Sequence, residues 1–315
     1  MSGAPTALPR VAIVLATYNG EDFLRAQLDS LLAQDYTDFV IVARDDGSHD
    51  ATLVILQHYA SAHPEKFQLV DGGGANLGAS ASFSTLIQYV LAHKELLGLE
   101  QAYILCCDQD DVWYSDKISK SVQAMLALET KHPYRACLVH SDLRVIDAQG
   151  QELAPSFFVY QGIRPHKHTF ARMLVSNSVT GCTAMMNEKL AEIASPIPAQ
   201  AIMHDWWLAL VASSVGHVQP IDEPLMDYRQ HQKNTLGAKQ FYRTGFAMRK
   251  LQRLNDPKYD KFNARLAKQA ENLAGRHYAN LKNRDTFVLS VALWMNSRYR
   301  WVRNGVYLGF IWIFA

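Results

Sequence analysis

Apolar runs that alternate with polar loops constrain the fold of this chain more than any other feature. Four such runs occur early in the sequence, each followed by a polar loop and a segment of helical periodicity: 11–15, 39–43, Phe67–Val70 and 102–105. The first two are continuous and rich in β-branched residues, as expected of buried parallel strands. The alternation predicts a doubly wound α/β sheet. Ligands bind such sheets beyond the carboxyl ends of the strands, where the polar loops lie.

The spacing of apolar residues also predicts the helices and the later strands. Helices are expected at about 21–33, from about residue 50 or 52, at 81–93 and at 117–129. Farther along, 136–142 is expected to form a strand and 148–150 a hairpin-like turn. A helix is expected from residue 204 to 214, and two strand-like segments, 218–220 and 225–231, end the main domain.

Three carboxylates follow the fourth apolar run within four positions, at Asp108, Asp110 and Asp111. Acids this close repel one another, so a fold keeps them together only if a cation lies among them. A hard divalent ion such as Mg²⁺ or Mn²⁺ takes oxygen ligands and keeps room for substrate phosphates. The sequence therefore predicts a metal site at this acid cluster, which we define as these three residues. A solvated acidic turn is the alternative interpretation.

Other polar segments have plain alternatives as well. The Gly-rich loop at 72–78 is not a G-x-G-x-x-G fingerprint after the first strand, and it lacks the Walker lysine, which argues against dinucleotide and P-loop sites. It could equally be a flexible turn. Asp205 lies at the start of a predicted helix, where the dipole favours a carboxylate, so helix capping is an alternative to catalysis. His231 on its own would be a structural or surface residue.

Length and cysteine usage narrow the class of protein. With 315 residues and 49% apolar content, the chain can bury one large domain, with or without an extension. Its four cysteines show no C-x-x-C spacing, which favours reduced cytosolic thiols over a zinc site or disulfides. Residues 1–10 lack the apolar centre of a signal peptide. We therefore expect a cytoplasmic protein, with peripheral attachment to the cytoplasmic face of a membrane as a variant of that prediction.

Charge divides the chain into an acidic front and a basic tail. Residues 239–303 contain 15 Lys and Arg against 4 Asp and Glu, a surplus of +11. The rest of the chain then carries −10, because the whole chain carries +1. Such asymmetry suggests different partners for the two parts. Nucleic acid is poorly supported as a partner of the tail, since its basic residues lie on predicted helices with few aromatics in loops.

The last segment, 287–315, is apolar but interrupted by arginines, so it falls short of the roughly 20 apolar residues that a membrane span needs. Apolar residues recur in it at helical spacing: Val288, Val291, Met295, Tyr299, Val302 and Val306. The helix could lie in a membrane interface, with Trp294, Tyr299 and Trp301 at headgroup depth and arginines towards anionic lipid. It could equally pack on the main domain or on a second subunit of a homo-oligomer.

Six short segments, taken in order, resemble the motifs of family 2 glycosyltransferases. They are Ala-Thr-Tyr-Asn-Gly at 16–20, Asp-Asp-Gly-Ser at 45–48, Asn-Leu-Gly at 76–78, Asp-Gln-Asp-Asp-Val-Trp at 108–113, His-Asp-Trp-Trp at 204–207 and Tyr-Arg-Gln-His at 228–231. The fourth and the sixth further resemble bacterial rhamnosyltransferases that build surface polysaccharides. The resemblance implies a GT-A fold, a doubly wound mixed sheet, over residues 1–235, with a basic helical C-terminal extension at 236–315.

The resemblance also implies a reaction. A sugar would pass with inversion from a nucleotide-diphosphate donor, UDP- or dTDP-linked, to a hydroxyl of a glycan or a lipid-linked acceptor. The residues that match the donor site are Thr17, Tyr18, Asn19, Asp45, Asp46, Asn76, Asp108 and Arg229. A carboxylate can accept the N3–H of uracil or thymine, a tyrosine face can stack on the base, and an arginine adds positive charge at the diphosphate.

The remaining roles follow from the same resemblance. The cation, Mn²⁺ or Mg²⁺, is implied at Asp108, Asp110, Asp111 and His231. The acceptor side is implied at Thr180, Gly181, Cys182, Thr183 and Trp206, with the indole stacking on an acceptor sugar. Asp205 matches the general base of the family. Such a base takes the proton of the attacking hydroxyl and is typically worth about 10²- to 10⁴-fold in rate.

Two other functions compete with this interpretation. A sugar nucleotidyltransferase would also pair a doubly wound sheet with acidic metal ligands, but it would usually carry a basic, Gly-rich phosphate loop after the first strand. Here the loop at 17–20 contains neither Lys nor Arg. A non-catalytic module that binds nucleotide sugars would need no combination of Asp205 with the acid cluster. Release of nucleoside diphosphate in an assay distinguishes such a module from an enzyme.

Overall fold

The computed structural model describes residues 8–167, 169–231, 257–297 and 299–314. Nine strands lie in these residues: β1 Val11–Thr17, β2 Phe39–Asp45, β3 Phe67–Val70, β4 Tyr103–Cys107, β5 Val112–Trp113, β6 Cys137–Asp147, β7 Glu152–Ala154, β8 Met185–Met186 and β9 His217–Gln230. They form one sheet in the order β3-β2-β1-β4-β8-β6-β9-β5, with β7 beside β6. The predicted α/β sheet is confirmed.

The helices of the described residues are α1 Leu24–Leu32, α2 Thr52–Ala62, α3 Ala79–Ala92, α4 Lys117–Lys131, α5 Phe157–Gln161, α6 Phe170–Met173, α7 Glu188–Ala194, α8 His204–Val215, α9 Pro257–His277, α10 Asn283–Leu293 and α11 Arg300–Phe314. The predicted early helices are all present, with shifted ends. For example, α1 begins at Leu24 rather than at residue 21. The chain first makes a turn there, in which the N–H groups of Phe23 and Leu24 donate to the carbonyl of Gly20.

The parallel half of the sheet explains the continuous apolar runs. Strands β1, β2, β3 and β4 are parallel, and successive side chains of β1 enter opposite cores. Ala12 and Val14 belong to one hydrophobic cluster, whereas Val11, Ile13 and Leu15 belong to the other. Side chains alternate along a strand, so a strand buried on both faces must be apolar at every position.

The second half of the sheet is mixed and returns distant residues to the acid cluster. Strand β8 is antiparallel to both β4 and β6, and β9 runs parallel to β6. The predicted turn at 148–150 joins β6 to β7. The two segments expected at the end of the main domain form one long strand, β9, which pairs with β5 through Val112 and Asp227. This pairing places 228–231 beside the carboxylates that follow β4.

The C-terminal helices share a core with the sheet. Leu266 and Leu273 of α9, Leu289 of α10 and Phe310 of α11 are buried in the same cluster as one face of the sheet. The predicted domain boundary between residues 235 and 236 lies outside the described residues. Among the described helices, none combines the length and the apolar character that crossing a membrane requires.

Candidate active site

A cavity of about 590 Å³ opens at the carboxyl ends of β1, β2 and β4, where the sequence predicted ligand binding. Nine residues singled out from the sequence lie in its wall: Thr17, Tyr18, Asp46, Asn76, Asp108, Asp110, Thr180, Gly181 and Asp205. The cavity is within the size range of small-molecule sites. Segments far apart in the sequence therefore meet around one space that can hold a ligand.

The three carboxylates of the acid cluster lie at different depths. Asp108 and Asp110 line the cavity, whereas Asp111 is fully buried. Nε2 of His231 lies 2.7 Å from Oδ2 of Asp110. Oδ1 of Asp111 accepts a hydrogen bond of 3.1 Å from the N–H of Arg229, 118 positions later in the chain. The acid cluster and the end of β9 thus form one structural unit.

Burial and mutual repulsion make it costly to ionise the carboxylates of this unit. Burial, followed by repulsion from Asp110 and Asp205, raises the pKa of Asp108 to about 7. Burial and the same kind of repulsion raise the pKa of Asp111 well above its usual value. Both shifts mean that the ionised carboxylates cost free energy where they stand, so a cation nearby would stabilise them.

A cation of the chain itself, Lys117, lies near the acid cluster, although its sequence position did not single it out. The side chain is fully buried, and Nζ donates to the carbonyl of Cys182 at 2.6 Å and lies 4.1 Å from the ring centroid of Trp113. Burial lowers its pKa to about 8. A lysine in the first turn of a helix is expected to lie at the surface, because lysines are almost never fully buried unless paired. The three acids a few residues before Lys117 were the sequence feature that could have indicated a buried, charge-paired lysine.

The acid cluster also fits a divalent ion. Ligand atoms of Asp108, Asp111 and Cys182 lie within 4.8 Å of one another. Burial raises the pKa of the Cys182 thiol well above its usual value, so it is a protonated neighbour rather than a thiolate ligand. Oδ2 of Asp111 is buried without an ordinary hydrogen-bond partner in the part of the chain that the structure describes. Crowded oxygen atoms with unused capacity suit a hard cation such as Mg²⁺ or Mn²⁺.

Asp205 faces the cavity from the first turn of α8. It is not the N-cap residue, which is Met203. Burial raises the pKa of Asp205 to about 6, against hydrogen bonds from the N–H groups of Trp206 and Gly181 and from the side chain of Asn177. A carboxylate with this pKa is mostly ionised at pH 7 yet more basic than a free aspartate. Such a group is suited to accept a proton from a ligand in the cavity.

The loop after β1 is tied to the acid cluster by a residue that sequence reasoning missed. The side chain of Gln109 accepts from the N–H of Tyr18 at 2.8 Å and donates to its carbonyl at 2.9 Å. The ring of Tyr18 is partly exposed at the cavity. Gln109 lies inside the Asp-Gln-Asp-Asp motif, but an amide between acids gives no sign of a partner 91 positions away.

The two acids at the end of β2 shape loops. Asp45 accepts hydrogen bonds from the hydroxyls of Thr17 (3.0 Å) and Ser48 (2.6 Å). Asp46 is buried and accepts from the guanidinium of Arg44 and from the N–H groups of residues 77 and 78. Burial opposes ionisation of Asp46, but these hydrogen bonds outweigh it and lower its pKa. Asp46 thereby holds the Gly-rich loop against the cavity.

Eight predicted site residues lie outside the cavity wall among the described residues: Asn19, Asp45, Asp111, Cys182, Thr183, Trp206, Arg229 and His231. Asn19 accepts from the N–H of His49 at 2.9 Å and so joins the loops after β1 and β2. The hydroxyl of Thr183 donates to the carbonyl of Thr180 at 2.7 Å. These two side chains therefore stabilise segments that form the cavity wall without lining it themselves.

Two residues that were predicted to contact ligands, Trp206 and Arg229, are packed among protein groups. Trp206 is 7% exposed, and its Nε1 donates to the carbonyl of Met173 at 2.6 Å. The indole therefore packs in the core and does not face the cavity as a stacking surface. Arg229 donates to the carbonyls of Asp110 and Ala148, and its guanidinium lies 4.9 Å from the ring centroid of Phe23. These contacts hold the acid cluster in place, whereas a diphosphate contact was expected from the motif.

Comparison with known protein families matches residues 12–193 to the model of "Glycosyl transferase family 2". The chain is 30% identical to a protein of Shigella flexneri described as "dTDP-rhamnosyl transferase RfbG" over 232 residues, which cover 71% of this chain and 74% of that protein. An uncharacterized protein of Mycobacterium tuberculosis is 28% identical over 70% of this chain and 59% of its own length.

Solved structures share the fold at low sequence identity. The Staphylococcus aureus protein TarS, residues 1–349 in complex with UDP-GlcNAc, superposes with a TM-score of 0.53 at 15% identity, covering 90% of this chain and 79% of that one. The mannosyltransferase PcManGT from Pyrobaculum calidifontis, in complex with GDP-Man and Mn²⁺, gives a TM-score of 0.51 at 16% identity, covering 98% and 76%. These similarities agree with the GT-A fold that was expected from the motifs.

Proposed function

Because the chain belongs to glycosyl transferase family 2, we propose that it transfers rhamnose with inversion from a dTDP- or UDP-linked donor to a hydroxyl of a glycan or lipid-linked acceptor. The chain is a glycosyltransferase. The two alternative functions, a nucleotidyltransferase and a non-catalytic module, are therefore set aside. The choice of rhamnose and of dTDP is supported by the description of the Shigella relative. The synthesis of cell-surface polysaccharide, which the motifs suggested, is part of the same proposal.

One observation carries the proposal: Asp205 and the pair Asp108 and Asp110 line the same cavity although they come from distant segments. In the proposed step, the acceptor hydroxyl attacks C1 of the sugar and gives its proton to Asp205. The bond from C1 to the diphosphate oxygen breaks as the new bond forms, and nucleoside diphosphate leaves with the electron pair. The raised pKa of Asp205, about 6, suits a base that works near neutral pH.

Asp108 and Asp110, with Asp111 and His231 around them, would hold the divalent cation. When bound, such an ion acts as a Lewis acid towards the charge that gathers on the leaving diphosphate, an effect of roughly several kcal/mol. The N–H of Arg229 holds Asp111 in place beside these ligands, and Lys117 is close enough to interact with the charge of Asp111. We assign Lys117 a supporting role, because its Nζ is bound to Cys182 in the protein interior.

The donor nucleoside is assigned to the wall formed by Thr17, Tyr18, Asp46 and Asn76. Tyr18 exposes its ring at the cavity, where it can stack on a base. Asp45 and Asn19 act indirectly, since they fix the two loops that carry this wall. The acceptor is assigned to the part of the wall at 177–181, which includes Thr180 and Gly181. Both assignments are part of the proposal.

The C-terminal helices support peripheral attachment to an anionic membrane as the location of this activity. Phe287 is 70% exposed, Trp294 65% and Trp301 76%, although Met295 and Leu289 of the same segment are buried against the main domain. Part of this segment thus packs on the core while three aromatic rings face solvent, in a part of the chain whose sequence is rich in basic residues. Aromatic rings at headgroup depth and arginines facing anionic lipid are typical of interfacial helices.

The test is a ligand screen followed by an assay. Purified protein is incubated with Mn²⁺ and dTDP-rhamnose, UDP-glucose, UDP-GlcNAc or GDP-mannose, and thermal unfolding is recorded, because a ligand that binds only the native state raises its stability. The best donor is then assayed for release of nucleoside diphosphate with glycan and lipid-linked acceptors. We expect dTDP-rhamnose to give the largest shift and metal-dependent release. Stabilisation by none of the four donors would reject the proposal.

A further inference from the structure

We propose that His204 recognises a hydroxyl group of the sugar carried by the donor and so helps to determine which sugar is transferred; this inference rests on the proposed function. His204 is 3% exposed, and neither ring nitrogen has a hydrogen-bond partner within the described residues. A buried polar group without a partner has lost its hydration and gained nothing in exchange. Other buried polar atoms of the described residues also lack a partner, but among the residues concerned His204 alone lines the cavity, where a ligand can supply one.

Packing fixes the imidazole ring in the cavity wall. The ring stacks on Phe83, with ring centroids 4.0 Å apart and an angle of 23° between the planes. Its edge lies so close to Gly181 that a Cβ added there would come within 2.6 Å of Nε2. Phe83, Gly181 and His204 all line the cavity. The ring plane is therefore fixed before any ligand binds, so a directed hydrogen bond to it costs little further side-chain entropy.

The chemistry of the ring favours a hydroxyl over a phosphate. A neutral imidazole offers one donor and one acceptor, and a hydroxyl can pair with either. A phosphate offers mainly acceptor atoms and is best bound by charged donors. Buried in an apolar stack, the ring is a poor place for the positive charge that a phosphate would need. The group that His204 binds is therefore a pyranose hydroxyl.

His204 lies where the donor sugar and the acceptor have to meet, and we assign it to the donor sugar. Phe83 belongs to α3, which follows the loop that contributes Asn76 and Gly78 to the cavity wall. His204 thus stacks on Phe83 of this helix, meets Gly181 at its edge and directly precedes Asp205, the assigned base. The transferred sugar has to occupy this region, because its anomeric carbon must meet the hydroxyl that Asp205 deprotonates. The acceptor approaches the same carbon from the other side, since the reaction inverts it.

The diagnostic variant is His204→Phe, which keeps a ring stacked on Phe83 but removes both nitrogens. Dissociation constants are measured by calorimetry, in the presence of Mn²⁺, for dTDP-rhamnose and for dTDP alone. The ratio of the two constants isolates the contribution of the sugar. We expect the variant to lose about 10-fold in affinity for dTDP-rhamnose and nothing for dTDP. Its melting temperature should equal or exceed that of wild type, since an unpaired buried polar group is gone. His204→Gln, which keeps a donor and an acceptor, should recover part of the affinity.

His277→Phe is the matched control. His277 is also buried, at 7% exposure, and its Nε2 also lacks a partner within the described residues, but it belongs to α9 and lies outside the cavity wall. We expect this variant to bind both probes as wild type does. A panel of dTDP-sugars lacking single hydroxyls then identifies the group that is read: one analogue should bind wild type about 10-fold more weakly and bind His204→Phe no worse than dTDP-rhamnose does.

Each other outcome contradicts the inference in a distinct way. An unchanged affinity ratio in His204→Phe would overturn it while leaving the glycosyltransferase assignment intact. A change confined to the KM of the acceptor would assign the hydroxyl to the acceptor and overturn the donor assignment. Equal losses for dTDP-rhamnose and dTDP, with a lower melting temperature, would show a structural role only. If wild type binds neither dTDP-rhamnose nor another sugar nucleotide, the proposed function fails first.

Discussion

The cavity wall and the C-terminal helices differ in which groups they keep from water. In and behind the cavity wall, polar groups are buried, such as Asp111 and His204, each with a nitrogen or oxygen atom that lacks a partner within the described residues. On the C-terminal helices the reverse holds, since Phe287, Trp294 and Trp301 expose large aromatic rings. Each arrangement is unfavourable for the isolated protein, because water would solvate the polar groups and a core would bury the rings.

The difference indicates two kinds of partner for one chain. Unpaired polar groups inside a cavity favour a small polar ligand and a cation, whereas exposed rings beside basic side chains favour an extended anionic surface. If this distinction is correct, changes in the cavity should alter the chemistry without altering attachment to a membrane, and changes on the C-terminal helices should do the opposite. The following predictions test that separation.

The largest effect is expected from Asp205→Asn. The amide keeps the shape of the side chain but cannot accept the proton of the acceptor hydroxyl, so turnover should fall about 10²- to 10⁴-fold. The dissociation constant of the donor, measured by calorimetry, should change little. Binding to anionic vesicles should be the same as for wild type. Near-normal turnover would show that the base is another residue.

A smaller loss is expected from the double substitution Trp294→Ala and Trp301→Ala. Both rings are largely exposed, so their removal leaves no cavity in the core. If they insert at headgroup depth, both rings leave water when the protein binds, and partitioning into phosphatidylglycerol-containing vesicles in a sedimentation assay should fall at least about 10-fold in the double variant. Donor binding in solution should not change.

The matched control for this substitution is Tyr134→Ala, since Tyr134 is also highly exposed but lies on the main domain. It should leave sedimentation with vesicles unaffected. Equal partitioning of wild type and the double variant would remove the membrane from the proposal. Loss of a dimer in the double variant, seen by analytical ultracentrifugation, would replace the membrane with a second copy of the chain.

The pH dependence of activity should report Asp205. Because burial raises its pKa to about 6, the base is ionised above that pH and protonated below it. At saturating metal and donor, kcat should be constant above about pH 7 and fall about 10-fold for each pH unit well below 6. The residual activity of Asp205→Asn should lack this decline. A decline centred near pH 4 would mean that the carboxylate is not perturbed and that the cavity is wetter than the structure indicates.

The smallest effect concerns stability. The pKa of Asp108 is raised to about 7, above its value in the unfolded chain, so this group favours folding at low pH and costs stability as pH rises through 7. Asp108→Asn should therefore raise the melting temperature at pH 8 by a few degrees relative to wild type, measured by calorimetry without metal, and change it little at pH 4. A shift for Asp108→Asn that is equal at both pH values would contradict the electrostatic explanation.

Much of the fold could be predicted because its signals are local. Strands β1 and β2 are buried on both faces, so every position is apolar and the run is unmistakable. The acid cluster was equally visible, since three carboxylates after a strand are costly without a cation. The structure adds that the chain provides one such cation itself, Lys117, which local reasoning places on the surface.

The roles of individual site residues were harder to predict, because they depend on partners from other segments. Trp206 belongs to a recognisable motif, yet its ring packs in the core. Gln109 sits in the most conspicuous motif of the chain, yet its task is to hold the backbone of Tyr18. In both cases the motif correctly predicts that the residue lies near the cavity, while the direction of its side chain follows from long-range packing.

The amino-acid sequence by itself determined the alternation of strands and helices, the position of the acid cluster at a strand end and the membership of a glycosyltransferase family. These depend on the spacing of residue types along the backbone, which local steric and hydrophobic preferences translate directly into elements. Only the tertiary structure decided that Lys117 is buried near the acids, that Asp205 shares a cavity with Asp108 and Asp110, and that His204 is buried without a partner among the described residues. Burial and pairing are properties of groups brought together from distant positions, and no local pattern encodes them.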